Sequence, residues 1–269
     1  GRSYVDLHMH SHYSDDGEYT PTQLVDMCHE AGVKVMAIAD HNWVKANDEA
    51  TKYAKELGIK YIPAIEIDCT YQGLNLHVLG YGIDYKQPIF NQLGEIIEKQ
   101  ELTCSLKKLE LTNALGFELT QDQFDTLYHE LLKPYRNGGT RSDNPYVNFY
   151  WDYYAQGKPC YTKIKFPTLE ETIKIIHDNG GLAVLAHPGN NLKGRFEIFD
   201  EMVELGIDGV EAYSNYHSEE VNTYFVNKAK KLDILYTCGS DFHGKTKPSI
   251  VLGGNGCEIP DNVEKLLKK

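Results

Sequence analysis

The chain has 269 residues, 41% hydrophobic and 25% charged, with a net charge of −12 at neutral pH. That length allows one large domain or a core domain carrying an insertion. The acidic balance disfavours an extended nucleic-acid surface, which must be basic, and no apolar run approaches the roughly 20 residues that span a bilayer. The six cysteines are widely spaced, form no CxxC pair and follow no secretory leader. They read as reduced thiols of a cytoplasmic protein with no membrane attachment.

In chain order, strands are predicted at 4–8 (YVDLH), 34–39, 60–67, 74–81, 182–186, 208–213 and 233–238. Amphipathic helical patterns separate them at 21–31, 46–57, 168–179, 195–205 and 218–231. The first of these carries Thr20 as cap and Pro21 at the opening helical position. Such alternation argues for parallel strands covered by helices, in a barrel or an open doubly wound sheet. Residues 89–154 break the rhythm. Two helical stretches fill 89–136, then come the polar "YRNGGTRSDNP" and an aromatic run from Tyr146 to Tyr154. This reads as a helical insertion, a lid or substrate-binding subdomain, between barrel segments 1–88 and 155–269.

Histidines and carboxylates recur where strands end. His8 and His10, two apart on an extended chain, point to the same face. "AIADHN" ends the second strand with Asp40 and His41, which face opposite ways, so one is a direct ligand and the other orients it from behind. Glu66 and Asp68 share a face, His77 and His187 end two further strands, and Asp241 and His243 close the last. In a parallel α/β barrel these ends converge on one mouth. Six histidines with several carboxylates exceed what one ion needs. They suit two or three divalent ions bridged by a carboxylate, with Mn, Zn and Fe all compatible.

These stretches resemble the polymerase and histidinol phosphatase (PHP) family of metal-dependent phosphoesterases. The likeness rests on "DLHMHSHYSDDGEYTP", "AIADHN", "IPAIEID", "LNLHVLGYG", "AHPG", "GIDGVEAY" and "CGSDFHG", in that order. It implies a distorted seven-stranded (β/α) barrel with a trinuclear site at its mouth. His8, His10 and Asp241 would hold one ion and share Glu66 with a second, which His77 and His187 complete. Asp15, His41 and His243 would hold the third, with Asp40 as the supporting partner. The family's Ser-Asp-Gly is here Ser14-Asp15-Asp16-Gly17. Counting from His10 favours Asp15, and counting back from Gly17 favours Asp16; Asp15 is taken.

Within the family the wording is most similar to small stand-alone enzymes that act on nucleotides. The expected reaction is hydrolysis of a phosphate monoester of a 3′,5′-nucleoside bisphosphate, by a hydroxide that the ions activate. Asp40, His243 and Arg195 are the catalytic candidates; His243 would assist the leaving oxygen. Arg195, Lys193, Arg141, His217 and His12 are the candidates for substrate contact. The partner is a small phosphorylated molecule, and the chain is a monomer or small homo-oligomer. A 5′-3′ exonuclease on short oligonucleotides, a histidinol-phosphate phosphatase and a non-catalytic metal-binding module are the alternatives.

Overall fold

The structure, a computed structural model, describes residues 4–126, 152–253 and 264–268. The chain divides into two compact units, Gly1–Leu93 with Phe166–Lys269 and Gly94–Lys165.

The first unit is a mixed α/β fold. Strands β1 (Val5–Met9), β2 (Val35–Ile38) and β3 (Lys60–Tyr61) form a parallel three-stranded sheet. Strands β4 (Ala64–Tyr71), β5 (Leu74–Tyr81), β6 (Leu182–Leu185), β7 (Gly209–Ser214) and β8 (Leu235–Gly239) form a second sheet in that order. The described residues thus hold eight strands in two sheets, not a closed seven-stranded barrel.

Two local causes account for the difference. Pro63 has no N–H to give a ladder and splits the predicted strand 60–67 into β3 and β4. Gln72 and Gly73 both adopt left-handed φ, 48° and 79°, the combination a two-residue hairpin turn requires. So β4 and β5 pair antiparallel, as do β5 and β6; within this sheet β6, β7 and β8 run parallel. The sheets also touch at their edges. Asp241 N–H donates to His8 O (2.7 Å), and Glu66 N–H donates to Asp40 O (2.9 Å).

The helices follow in chain order. They are α1 (Pro21–Ala31), α2 (Asn47–Glu56), α3 (Pro88–Ala114), α4 (Leu169–Asp178), α5 (Pro188–Asn191), α6 (Phe199–Glu204), α7 (Glu219–Leu232) and α8 (Glu264–Leu267). Thr20 and Thr168 each close a capping box at the start of α1 and α4, which satisfies N–H groups that a helix start leaves open. One core cluster lies among the strands, including Val5, Leu7, Val35, Ala37, Leu79, Tyr81 and Val184. A second packs Leu24, Val25 and Cys28 of α1 and Ala50 and Ala54 of α2 on Met36 and Ile38. Since β1 and β2 are buried on both faces, neither shows a simple apolar–polar alternation.

The second unit has its own small core of Phe124, Tyr154 and Cys160. Tyr154 is buried there with its hydroxyl 2.6 Å from Thr112 Oγ1, so it is not a stacking surface for a ligand. Tyr146 and its neighbours through Trp151 lie outside the described residues. Cys28, Cys69, Cys104 and Cys160 are free thiols. Cys238 is disulfide-bonded, which departs from the expectation of reduced thiols throughout; Cys257 lies outside the described residues. No helix among those residues is long and apolar enough to cross a membrane.

Candidate metal centre

Glu66 is the hub of the site. Its side chain is fully buried, and five imidazoles approach its two oxygens: His8 Nε2 (2.9 Å), His10 Nε2 (3.3 Å), His41 Nδ1 (3.1 Å), His77 Nδ1 (3.4 Å) and His187 Nε2 (3.6 Å). His8 and His10 reach it from the end of β1, as their two-residue spacing requires. His77 lies opposite Asp68 in the β4–β5 register and its Nε2 is 2.9 Å from that carboxylate. His187 and Asp241 stand just past β6 and β8 with left-handed backbones, φ 24° and 59°. Non-glycine residues hold such angles at a cost, and functional sites are where that cost is found.

Most of the imidazoles are oriented from behind through the nitrogen that faces away from the cluster. His8 Nδ1–H donates to Glu211 Oε2 at 2.7 Å, and His243 Nδ1–H donates to Asp241 O at 2.7 Å. His187 Nδ1–H donates to Asn191 Oδ1. Asp40 does the same for His10 through a serine. Ser14 Oγ–H donates to Asp40 Oδ1 (2.7 Å), which turns its lone pairs toward His10 Nδ1–H (3.1 Å) and the His41 backbone N–H (3.1 Å). The other bonds to Asp40 come from Ser11 N–H and Ser11 Oγ–H. The Asp40 carboxylate is thus spent on Ser11 and Ser14 and shapes the loop behind the imidazole cluster.

Whether the residues suit metal ions is decided by their unpaired atoms. His8 Nε2, His10 Nε2, His41 Nδ1, His77 Nδ1, His243 Nε2, Asp16 Oδ1, Asp241 Oδ1 and both Glu66 oxygens are buried with no hydrogen-bond partner. Many lie within ion-pair distance of one another, yet none has hydrogen-bonding angles. Their lone pairs converge on common points instead of on each other. Buried polar atoms are almost always paired, so this convergence fits divalent cations, with the outward imidazole N–H groups anchored as ligand histidines require. Three groups have donor atoms within 4.8 Å of one another: His8, His10, Glu66 and Asp241; His10, Asp16, His41 and His243; and His41, Glu66 and His77.

The charges follow the same arrangement. Burial pushes the His8 imidazole down, but Glu211, Glu66 and Asp241 outweigh it and hold it well above its ordinary range. His10 is likewise raised, to about 9, by Asp241 and Glu66 against burial. Burial would raise Glu66 and Asp241, yet the surrounding imidazoles, joined at Asp241 by Lys247, keep both carboxyls well below the usual range. His243, buried beside His10, is pushed down to about 4.

The structure brings together most of the predicted ligands and corrects one. Asp15 is exposed, whereas Asp16 Oδ2 lies 3.3 Å from His243 Nε2 and 3.9 Å from His41 Nε2. Two successive turns, Ser14 N–H to Ser11 O and Gly17 N–H to Ser14 O, carry Asp16 inward. His41 falls in the group with His77 as well as in that with His243, and His187 stands at the edge of the former. His243 has both nitrogens committed to Asp241 O and the cluster, which suits a ligand and not an acid for the leaving oxygen.

The substrate candidates fare differently. His217 takes the Gly189 N–H on Nε2 (2.9 Å), and its Nδ1–H lies between Ala212 O and Asn222 Oδ1. It is a strut beneath the His187 loop and has no nitrogen left for substrate. His12 is exposed and packs beside Tyr13. Arg195 and Lys193 are exposed on the loop after α5, and Arg141 lies outside the described residues. The sequence reading missed Glu211, whose two oxygens bind His8 Nδ1–H and the His187 N–H. Its one signal was a lone acid inside the apolar strand "GVEAY". Also missed were Asp68 as the partner of His77, and Tyr216 and Lys247, which bind Asp241 Oδ2 at 2.6 and 3.2 Å.

Six imidazoles and three carboxylates converging at the strand ends of an α/β fold, most of them with a buried, unpaired donor atom, define a metal-dependent hydrolase. The chain belongs to the PHP domain family, which matches residues 6–204. It is 31% identical over 248 residues to a 5′-3′ exoribonuclease of Haemophilus influenzae, covering 88% of this chain and 89% of that protein. It is 27% identical over 250 residues to a 3′,5′-nucleoside bisphosphate phosphatase of Chromobacterium violaceum, covering 89% and 87%. A solved structure from Bifidobacterium adolescentis, described as a metal-dependent phosphoesterase, superposes with a TM-score of 0.78 at 25% identity, over 100% of this chain and 96% of that one. The protein is a phosphoesterase, a hydrolase acting on phosphate ester bonds.

Proposed function

We propose that the enzyme hydrolyses a phosphate monoester of a small nucleotide of the 3′,5′-nucleoside bisphosphate type, with two or three divalent ions, Mn, Zn or Fe, held by His8, His10, Asp16, His41, Glu66, His77, His187, Asp241 and His243. The observation that carries this reading is Glu66. Both of its oxygens are buried and unpaired, and it belongs to two ligand groups at once, as a carboxylate bridging two ions must.

Bound ions would neutralise the phosphoryl oxygens and supply a nucleophile at neutral pH. The chain's own part is to fix the ligands. Glu211, Asn191 and the Asp241 carbonyl hold His8, His187 and His243 with the proton on Nδ1, which leaves Nε2 as donor. Asp40 orders the Ser11–Ser14 turn that supports His10 and His41. Arg195 and Lys193 are the exposed cations next to the His187 loop and would meet the negative phosphoryl group from outside. The net charge of −12 argues for a small substrate over an extended nucleic acid. Likeness to the exoribonuclease favours a second reading, removal of nucleotides from the 5′ end of short RNA.

The test offers the Mn²⁺-loaded protein 3′-phosphoadenosine 5′-phosphate, a 5′-phosphorylated short RNA and histidinol phosphate, and measures released phosphate and nucleotide. Phosphate release from the bisphosphate is expected. Stepwise nucleotide release from RNA alone would move the assignment to the exonuclease. Turnover of none of the three, with metal content confirmed, would refute the proposal.

A further inference from the structure

Lys247 sits six residues past Asp241, and its position has no explanation in metal binding alone. Its ammonium lies 2.7 Å from Tyr216 Oη and 3.2 Å from Asp241 Oδ2. Tyr216 Oη–H in turn donates to Asp241 Oδ2 at 2.6 Å, and the Tyr216 ring stands edge-on to His187 at 5.3 Å. Asp241 is thereby divided: Oδ2 is held by the tyrosine and the lysine, while Oδ1 is unpaired and faces His8 and His10 at 3.3 and 2.9 Å. A lysine side chain stands one carboxylate away from the proposed metal site.

Coulomb's law makes that arrangement unfavourable for the ions, since like charges a few ångströms apart repel more strongly as the environment becomes less polar. Tyr216 alone would suffice to hold Asp241 Oδ2. What a cation gains at this position is attraction for an anion that arrives after the metals. Lys247 has three donors, two of which go to Tyr216 and Asp241. The third meets no described residue, and the side chain remains 19% exposed. The loop that carries it is stitched in place: Thr246 Oγ1–H donates to Asp16 O, Lys245 N–H to Glu18 Oε2, and Glu18 N–H to His243 O. The ammonium is thus held by side chains and by a fixed loop.

We propose that Lys247 is a substrate-binding residue that takes a phosphoryl oxygen of the ester, with Tyr216 and Asp241 as the struts that aim it. This rests on the phosphoesterase reading of the same site and deepens it: the substrate's transferred group is anionic, and this cation is placed for it. Inorganic phosphate, the product and a competitive probe, measures the contact without turnover.

The experiment compares wild type with Lys247→Met and Lys247→Arg for Mn²⁺ stoichiometry and affinity by calorimetry, for inhibition by phosphate, and for KM and kcat on the best ester of the panel. Removing a charge-assisted hydrogen bond is expected to weaken phosphate inhibition about tenfold or more and to raise KM alike. Mn²⁺ affinity should stay equal or become tighter, because a repelling charge has gone. Lys247→Arg should return phosphate binding to within about threefold. Phosphate inhibition unchanged in Lys247→Met would overturn the inference, as would a loss of Mn²⁺ affinity that explains the whole defect. A wild-type protein that binds Mn²⁺ but hydrolyses no phosphate ester would overturn the parent reading instead, so the two failures are separable.

Discussion

Replacing Glu211 with glutamine changes one atom, yet the structure predicts loss of an ion. Glu211 is fully buried and accepts two hydrogen bonds, His8 Nδ1–H on Oε2 at 2.7 Å and His187 N–H on Oε1 at 3.0 Å. A glutamine has one acceptor oxygen, and a backbone N–H cannot reverse its role. The amide oxygen therefore turns to His187 and the NH₂ turns to His8. That orientation drives the His8 proton from Nδ1 to Nε2, the atom aimed at Glu66 and Asp241, and the ligand lone pair disappears. Keeping His8 in its ligand tautomer instead leaves two donors facing each other. Either way a charge-assisted bond of about 2 kcal/mol is forfeited, equivalent to about 30-fold in affinity, within the range seen when such supporting groups are removed. Calorimetric titration of chelated protein with Mn²⁺ measures this, beside phosphate release at saturating and limiting metal. Saturating Mn²⁺ should recover part of the rate. Glu211→Gln and Glu211→Ala proteins that both bind Mn²⁺ within about threefold of wild type would refute the reasoning.

Asp16→Asn should lower metal content and cut the rate about tenfold or more, whereas the exposed Asp15→Asn stays near wild type; the reverse order would return the ligand role to Asp15. Gly239→Ala should lose metal and stability together, by about 1–3 kcal/mol. A Cβ there would lie 2.3 Å from His8 Cβ and 2.7 Å from Glu211 Oε2, and a wild-type melting curve with full metal uptake would show that β1 and β8 can part. Metal-free protein should be most stable near neutral pH. His10, raised to about 9, contributes most below its ordinary value of 6.5 and loses that contribution as pH rises through 9. His243, lowered to about 4, instead penalises folding as pH falls from 6.5 toward 4, because only the unfolded chain takes the proton. Since Mn²⁺ must displace the His10 proton, its apparent affinity should climb up to about pH 9, with proton release seen by calorimetry in buffers of different ionisation enthalpy. An affinity flat from pH 6.5 to 9 would contradict this.

What the sequence made legible was everything governed by period. Strand ends, the i, i+2 parity of His8 with His10 and Glu66 with Asp68, and the capped start of α1 all follow from local geometry. What escaped depended on turn closure or distant pairing. The Ser11–Gly17 loop closes so tightly that a Cβ on Gly17 would overlap Ser11 O at 1.8 Å. Which aspartate faces inward there is set by that closure, not by counting from either end. The antiparallel β4–β5 turn was written in Gln72-Gly73, but a strong βα rhythm elsewhere favoured the parallel reading. His217 is indistinguishable from a substrate histidine in the sequence; only the packed Gly189 loop shows that its nitrogens are already used. Lys247 meets Tyr216 across 31 residues, beyond any local pattern.

The same geometry explains why no single strand could carry the centre. Strands β1, β4 and β5 and the loops after β1, β2, β6 and β8 supply the donors, and β7 supplies the acid that fixes two of them. Buried charges of this kind are weak contributors to stability by themselves, because desolvation opposes their attraction. Their arrangement is explained by what they hold. His10, His41 and Glu66 each belong to two of the three candidate ligand groups, so an ion in one group would fix donors that the next group also needs. Binding at one place would then remove part of the ordering cost at its neighbour. A substitution at a shared donor weakens two places at once, and the effects of two such substitutions cannot simply add. Glu66, shared and with both oxygens buried and unpaired, is where that coupling would be strongest.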